Sequence, residues 1–219
     1  MQARALKRRE AQSLILLQNS MVLFSRAKVT DVPTLKTYED LVASGQGGKD
    51  TSFLPALFMP IWCDDYYDLN PQADLVTADL AESGSSFTYL FDLARSRIVV
   101  ACGVPIAISY PRDMSRQGGH PRLMDKSGKK PRKGFFKGHL IAHSIGGGMD
   151  INFVPQLGSM NRGEFRKIEN LAQKNALENV KSFYFVRAIY NNDSSVPHKL
   201  EQCLVHPSGK LDYKLHTNL

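Results

Sequence analysis

Three short stretches decide the fold: KGHLIAH at residues 137–143, GGG at 146–148 and MNRGEFRKIEN at 160–170. The chain from Phe135 to Ile141 is mostly apolar and predicts a short strand. Three consecutive glycines cannot continue a regular element, so they predict a turn. From Met160 to Asn179 apolar residues recur at a helical spacing, which predicts a helix with one buried face; they are Phe165, Ile168, Leu171, Ala172 and Leu177.

Strand patterns flank this segment on both sides. Apolar and aromatic runs bounded by turn residues predict strands at 87–92, 98–102, 181–190, 199–205 and 210–215, and residues 104–110 are expected to continue extended. Strands around one dominant helix indicate an α+β fold with an antiparallel sheet.

The N-terminal part of the chain mixes apolar and polar residues, and prolines divide it into short segments. Residues 3–24 predict an amphipathic helix rather than a signal peptide, because Gln18 to Ser20 break the apolar run. Residues 62–68 gather three carboxylates beside aromatic residues and are expected to form an acidic surface loop. We therefore predict a partly helical N-terminal accessory segment over residues 1–80 and a second domain over residues 81–219.

The composition is that of a globular protein. Hydrophobic residues make up 42% and charged residues 22% of the 219 positions, which excludes fibrous and wholly disordered classes. No apolar run reaches the length of a membrane-spanning helix. The three scattered cysteines, Cys63, Cys102 and Cys203, show no CxxC pairing and are expected to be reduced thiols.

The positive charge is concentrated in one segment. Between Arg112 and Lys137 the sequence has nine Lys and Arg residues against two Asp residues, and this difference of seven equals the net charge of the whole chain. A solvated surface loop and a loop that binds a polyanion both fit this pattern. Its position directly before the glycine-containing segment favours the polyanion, because neutralising phosphates requires clustered cations.

Taken together, the segments at 137–143, 146–148 and 160–170, with NFVPQ at 152–156, resemble the DNA/RNA non-specific endonuclease family, a branch of the ββα-metal nucleases. The family pattern is a Gly-His-Leu-Ile-Ala stretch, a glycine turn, an Asn-x-Val-Pro-Gln strand and an Asn-Arg-Gly helix that carries a glutamate. The resemblance is strong over about residues 134–175 and looser over 86–215. It implies an α+β domain built on a ββα-metal finger (strand, glycine turn, strand, helix), with metal-dependent, largely sequence-non-specific endonuclease activity.

The resemblance also implies roles for individual residues. His139 would be the general base and Asn161 the direct ligand of one Mg²⁺ or Mn²⁺ ion, with Glu169 in the outer metal shell. Asn152 and Gln156 would shape the site. Lys137 would contact phosphate as a point charge, and further substrate contacts are expected from Arg132, Lys133, Arg162, Arg166 and His143.

The chemistry of phosphodiester hydrolysis agrees with these roles. A neutral imidazole, whose ordinary pKa is about 6.5, suits the activation of water. A hard cation prefers oxygen ligands and keeps several waters, so one Asn carbonyl and a nearby carboxylate suffice. Asn161 and Glu169 are eight residues apart, which places them on one side of a continuous helix.

Two departures from the family pattern leave alternatives open. Many relatives have an Asp-Arg-Gly-His opening, whereas this chain has Phe136 and Lys137 before the glycine and histidine. A catalytically inactive nucleic-acid-binding module is therefore the second hypothesis. Zinc binding by the HxxxH pair of His139 and His143 is disfavoured, because the glutamate of a HExxH motif is missing. The remaining histidines are expected at the surface; they are His120, His198, His206 and His216.

The resemblance further suggests a biological setting. Relatives often serve as toxin domains of secreted bacterial effectors that an immunity protein restrains. A basic site predicts that such an inhibitor would be acidic. The protein is made in the cytoplasm, and export as an effector without an ordinary signal peptide stays open.

Overall fold

The structure, a computed structural model, describes residues 33–44, 51–82, 84–112, 134–149 and 151–218. The predicted helix over 3–24 and the basic residues Arg132 and Lys133 lie outside the described residues. The elements in chain order are α1 (Leu35–Ser44), α2 (Leu54–Leu69), β1 (Leu75–Glu82), β2 (Ser85–Asp92), β3 (Arg97–Gly103), β4 (Phe135–His139), a 3-10 helix (His143–Ile145), β5 (Phe153–Leu157), α3 (Gly158–Arg162), α4 (Glu164–Leu177), β6 (Phe183–Ile189), β7 (Lys199–Val205) and β8 (Leu211–Thr217).

A six-stranded antiparallel sheet forms the body of the fold, with the strand order β1-β2-β3-β6-β7-β8. The inner strands β3 and β6 are buried along nearly their whole length, which explains their continuous apolar sequences. The α+β class and the five predicted strands are confirmed. Strand β1 was not predicted, and residues 104–110 form no strand; the backbone amides of Ile106 and Ile108 instead donate to the carbonyls of Ile145 and Ser144.

Helices α1 and α2 pack against this sheet. Phe58, Trp62 and Tyr66 follow one another at intervals of four residues and are buried on one face of α2. The ring centroid of Trp62 lies 4.9 Å from that of Phe185 on β6, and that of Tyr38 on α1 lies 5.1 Å from it. The chain from Pro33 onward forms one compact unit. Helices α1 and α2, which belong to the predicted accessory segment, therefore share the core of the sheet.

The expected acidic surface loop at residues 62–68 is wrong, because these residues belong to α2. The carboxylate of Asp65 accepts a hydrogen bond from the guanidinium of Arg187, and the same guanidinium donates to Glu201 over 2.7 Å. Both Arg187 and Glu201 are buried. The acidic residue thus belongs to an ion-pair network that joins α2 to the sheet.

The second sheet has only β4 and β5, which pair antiparallel with Gly138 opposite Val154. Gly146 has a φ of 96°, so the predicted glycine turn contains a residue in the left-handed region that favours glycine. The order of strand, turn, strand and helix is confirmed. The continuous helix predicted from Met160 to Asn179 is wrong, because the chain forms α3 and α4 with a break at Gly163 (φ −105°, ψ −107°).

Side-chain hydrogen bonds anchor α4 to the large sheet. Gln202 on β7 donates to the carbonyl of Phe165 over 2.9 Å, and its amide oxygen lies 2.9 Å from Nε2 of His216. His216 is buried against the ring of Phe165, so its expected surface location is wrong. His206 is partly exposed and pairs with Asp212 over 2.6 Å.

The structure shows the state of the three cysteines and the character of the helices. Cys63, Cys102 and Cys203 are free thiols, and burial raises the pKa of each. Among the described residues, no helix has both the length and the apolar character that crossing a bilayer would require.

Candidate active site

A cavity of about 500 Å³ lies where β4, the turn after it and helices α3 and α4 meet. Six of the residues singled out in the sequence line it: Lys137, His139, Asn161, Arg162, Arg166 and Glu169. Arg112, Ala142, Ser144, Asn170 and Gln173 complete the described lining. Four cationic side chains therefore face one carboxylate, which makes the cavity a site for an anion such as phosphate.

The backbone of His139 is held by the side chain of Gln156. Gly138 stands opposite the end of this side chain, and a Cβ at residue 138 would lie 2.1 Å from its amide carbon. The absent side chain of Gly138 lets Gln156 cross the strand pair and donate from Nε2 to the carbonyl of His139 over 3.2 Å. The ring of His139 packs on Phe153, with the centroids 4.5 Å apart. The position of His139 is thus fixed from both β4 and β5.

The imidazole of His139 is neutral at physiological pH. Burial, the positive charge of Arg112 and the neighbouring His143 lower its pKa from the usual 6.5 to about 3. Its Nε2 atom is buried and has no hydrogen-bond partner among the described residues. A neutral ring with an unsatisfied nitrogen has the chemistry of a proton acceptor or of a hydrogen-bonding site for a ligand.

Asn152 organises the turn between the two strands. Its Nδ2 donates to the carbonyls of Ile141 and Gly148 over 2.6 and 2.9 Å, and its Oδ1 accepts from the amide of Ile141 over 2.9 Å. A Cβ at Gly147 would lie 2.0 Å from the carbonyl oxygen of Ile141, so only glycine permits this close approach. Asn152 is buried and shapes the site through the backbone.

Asn218 is a residue of this region that the sequence did not reveal. Its Oδ1 accepts from the amide of Leu157 over 2.9 Å, and its Nδ2 donates to the carbonyls of Pro155 and Pro197 over 2.9 and 2.8 Å. Its side chain therefore holds β5 on both sides of Gln156. A single asparagine beyond the last strand carries no motif that would have identified it.

Asn161 and Glu169 meet at the cavity although they belong to different helices, α3 and α4. Burial raises the pKa of Glu169 from 4.5 to about 7, while Arg166 and Arg112 act in the opposite direction. A nearby cation would favour the ionised carboxylate. A cation that binds close to Glu169 would therefore lower the pKa of this carboxyl and stabilise its ionised form.

The donor set of the cavity fits a hard divalent cation. The cavity lining has one carboxylate, that of Glu169, and side-chain amides that include Asn161, and no cluster of three His, Cys, Asp or Glu side chains occurs in the part of the chain that the structure describes. Mg²⁺ and Mn²⁺ accept few protein oxygens and keep waters, whereas a structural zinc site requires four nitrogen or sulfur ligands. The residues present fit the first kind of ion.

His143 does not join His139 in a common site. It lies in the 3-10 helix and is buried, and its Nε2 is 3.2 Å from the carbonyl oxygen of Tyr110. The rings of Tyr110 and His143 pack edge to face with centroids 5.3 Å apart. His143 is absent from the cavity lining that the described residues form. Its contact with substrate stays a prediction.

The chain is similar to known proteins in sequence and in structure. Residues 87–204, slightly more than half of the chain, match the family described as DNA/RNA non-specific endonuclease. A solved structure described as "Structure of Sda1 nuclease with bound zinc ion" is similar at 15% identity with a TM-score of 0.45, over 69% of this chain and 86% of that chain. A search of curated proteins found no match.

Proposed function

The chain belongs to the DNA/RNA non-specific endonuclease family, a family of nucleases that use a divalent metal ion, and from this we propose that it hydrolyses the phosphodiesters of DNA, RNA or both with His139 as the general base. The observation that carries the proposal is the convergence of His139, Asn161 and Glu169 on one cationic cavity. These three residues come from one strand and two helices, yet they face the same space.

His139 would remove a proton from the attacking water. Its low pKa keeps the ring unprotonated across the physiological range, so the base form is always available. A bound phosphate would bring negative charge next to Arg112 and offset the repulsion that this arginine exerts. The pKa of His139 would then rise in the complex, which strengthens the base where it is needed.

Asn161 and Glu169 would hold one Mg²⁺ ion, with Mn²⁺ as an equivalent. Such an ion would neutralise the charge that develops on the phosphate and on the departing oxygen. The raised pKa of Glu169 is the physical argument for this assignment, because a carboxylate whose charged form is disfavoured by burial is stabilised by a bound cation.

The cationic wall would position the substrate. Lys137, Arg162 and Arg166 line the cavity and present only positive charge, which contacts the nucleic-acid backbone without reading bases. Low sequence preference is the expected result. Lys137 acts as a point charge here, so the bidentate contacts would come from the two arginines.

A bacterial toxin role, with an acidic immunity protein as partner, is also part of the proposal. The argument is electrostatic: four cations line the described cavity, so an inhibitor that covers it would need complementary acidic residues.

Cleavage of supercoiled plasmid and of RNA tests the proposal. Mg²⁺ should support cleavage, and EDTA should abolish it. His139→Ala should bind nucleic acid but lose turnover, and Asn161→Ala should require more metal. His206→Ala is a matched control, because His206 pairs with Asp212 away from the cavity lining. Undiminished cleavage by His139→Ala would reject the base, and salt-sensitive binding with no cleavage in any divalent metal would identify an inactive binding module.

A further inference from the structure

Phe136 is a large apolar side chain that remains 51% exposed on the strand carrying the proposed base. It stands between Phe135 and the cavity-lining Lys137 on β4. Burying this ring would stabilise the fold by removing its apolar surface from water, and the exposed ring does not provide that stabilisation. An exposed ring beside the guanidinium of Arg162 is therefore a candidate contact for a ligand.

The ring is held in a fixed place by its neighbours. A Cβ at Gly158 would lie 2.5 Å from the Cε2 atom of Phe136, so the edge of the ring lies against the bare backbone of this glycine. The guanidinium carbon of Arg162 lies over the ring, 5.6 Å from its centroid, within the range of a cation–π contact. Arg162 is itself tied down, because its Nε donates to the carbonyl of Gly158 over 3.2 Å.

Arg162 connects this ring to the cavity. It lines the cavity with Lys137 while its guanidinium lies over Phe136. A phosphate bound by Arg162 would therefore place the attached nucleotide next to the aromatic ring. The combination of an exposed aromatic face with a planar guanidinium stacks nucleobases without regard to their identity, since every base has a π-face.

We propose that Phe136 and Arg162 form a stacking subsite for one unpaired nucleobase adjacent to the scissile phosphate. The inference rests on the proposed function and narrows its substrate class. A base inside a duplex already stacks on its neighbours and cannot lie on the ring without being extruded. The enzyme therefore favours single strands and unpaired segments over continuous duplex. The guanidinium of Arg162, which lies over the ring and also lines the cationic cavity, makes nucleic acid the partner of this aromatic surface rather than an apolar protein face.

Two substitutions separate stacking from mere support of Arg162. Phe136→Leu keeps an apolar side chain against Gly158 but removes the π-face, and Phe136→Trp enlarges that face. We expect Phe136→Leu to lower kcat/KM on a DNA single strand by about tenfold, the loss typical of one stacked base, while cleavage of duplex changes less than about twofold. Phe136→Trp should retain the preference for single strands. Tyr67→Leu is the matched control, because Tyr67 is an exposed aromatic residue on α2, 40% accessible, outside the described cavity lining.

A binding measurement keeps the inference testable apart from catalysis. A single strand that contains 2-aminopurine should lose fluorescence on binding the wild-type protein in EDTA, because stacking quenches this base. Phe136→Leu should bind with less quenching, and Tyr67→Leu should quench like the wild type. An equal loss of kcat/KM by Phe136→Leu on single strands and on duplex would show that Phe136 only supports Arg162, and this would overturn the proposal. Fluorescence quenching by Phe136→Leu equal to that of the wild type would also overturn it. Absence of cleavage by the wild type would reject the nuclease assignment while the quenching result still decides the subsite.

Discussion

The side-chain amide of Gln156 donates to the backbone carbonyl of His139 over 3.2 Å. This bond crosses from β5 to β4 at the point where Gly138 leaves room for it. The side chain of Asn218 in turn holds the backbone of β5 at Pro155 and Leu157, on either side of Gln156. The position of the proposed base therefore depends on a buried residue that does not line the cavity and on an asparagine beyond the last strand.

Removing the amide of Gln156 should slow the chemistry without weakening substrate binding. Gln156→Met has a similar length but cannot donate to His139, so the strand end carrying the base loses one of its restraints. We expect kcat to fall by about tenfold with KM within about twofold, since small misplacements of a catalytic group are costly in rate. Steady-state kinetics on DNA measures the split, and far-UV circular dichroism checks that the fold persists. A rise in KM with unchanged kcat would contradict a positioning role.

Asn218→Ala should destabilise the protein. It removes three hydrogen bonds and leaves the part-buried amide of Leu157 without this partner, which costs on the order of 2 kcal/mol. The free energy of unfolding from urea titration provides the measurement. Asn192→Ala is a suitable comparison, because Asn192 is exposed and its side chain accepts a hydrogen bond from the nearby amide of Ser194, so the substitution should change stability by less than about 0.5 kcal/mol. Equal effects of the two substitutions would show that Asn218 does not hold β5.

The parts of the fold predicted from sequence are those that local patterns determine. The largely apolar sequences of β3 and β6 have the length and composition of buried strands, and three glycines allow little other than a turn. The site residues His139, Asn161 and Glu169 could be predicted because they lie in one short segment with a recognisable spacing. All three line one cavity, but Asn161 and Glu169 reach it from two separate helices and not from the continuous helix that their spacing predicted.

The parts that were missed depend on contacts between distant residues. Asp65 looks like a surface carboxylate in the sequence, because its partner Arg187 is 122 residues away. The break at Gly163 is invisible to helical periodicity, which continues across it. A Cβ at Gly163 would lie 2.9 Å from the carbonyl oxygen of Ser159, so the glycine tolerates a bend that other residues would resist. Asn161 and Glu169 therefore share the cavity through this bend and not through a common helix face.

Gly138→Ala should damage the site, and a second substitution should partly repair it. The new Cβ would lie 2.1 Å from the side chain of Gln156, which must then move or force the strands apart, at a cost of about 1–3 kcal/mol in stability. Gln156→Ala removes the atoms that the new Cβ meets. We expect the double variant to be less destabilised than the sum of the two single variants, which thermal unfolding in a double-mutant cycle would reveal. Strict additivity would mean that the two side chains do not compete for the same space.

Glu169 should set the acid limit of activity, because its pKa of about 7 lies far above that of His139, at about 3. Below pH 7 the carboxyl becomes protonated in the metal-free protein, so metal affinity should fall by up to about tenfold per pH unit, while His139 remains neutral. Isothermal titration with Mn²⁺ at pH values from about 5 to about 8, which bracket the expected transition near pH 7, measures this dependence. Glu169→Gln should bind the metal more weakly and lose most of the pH dependence.

The same substitution should stabilise the metal-free protein at alkaline pH. A carboxyl whose pKa is raised in the folded state opposes folding once the pH exceeds its unfolded pKa, and the penalty grows until the pH passes the folded pKa of about 7. Glu169→Gln removes this penalty, so we expect a gain on the order of 2 kcal/mol at high pH and little change below the ordinary pKa of 4.5. Glu178→Gln replaces an exposed carboxylate just beyond α4, so it should neither weaken metal binding nor stabilise the protein at alkaline pH. A metal affinity of Glu169→Gln that still falls steeply below neutral pH would assign the titration to another group.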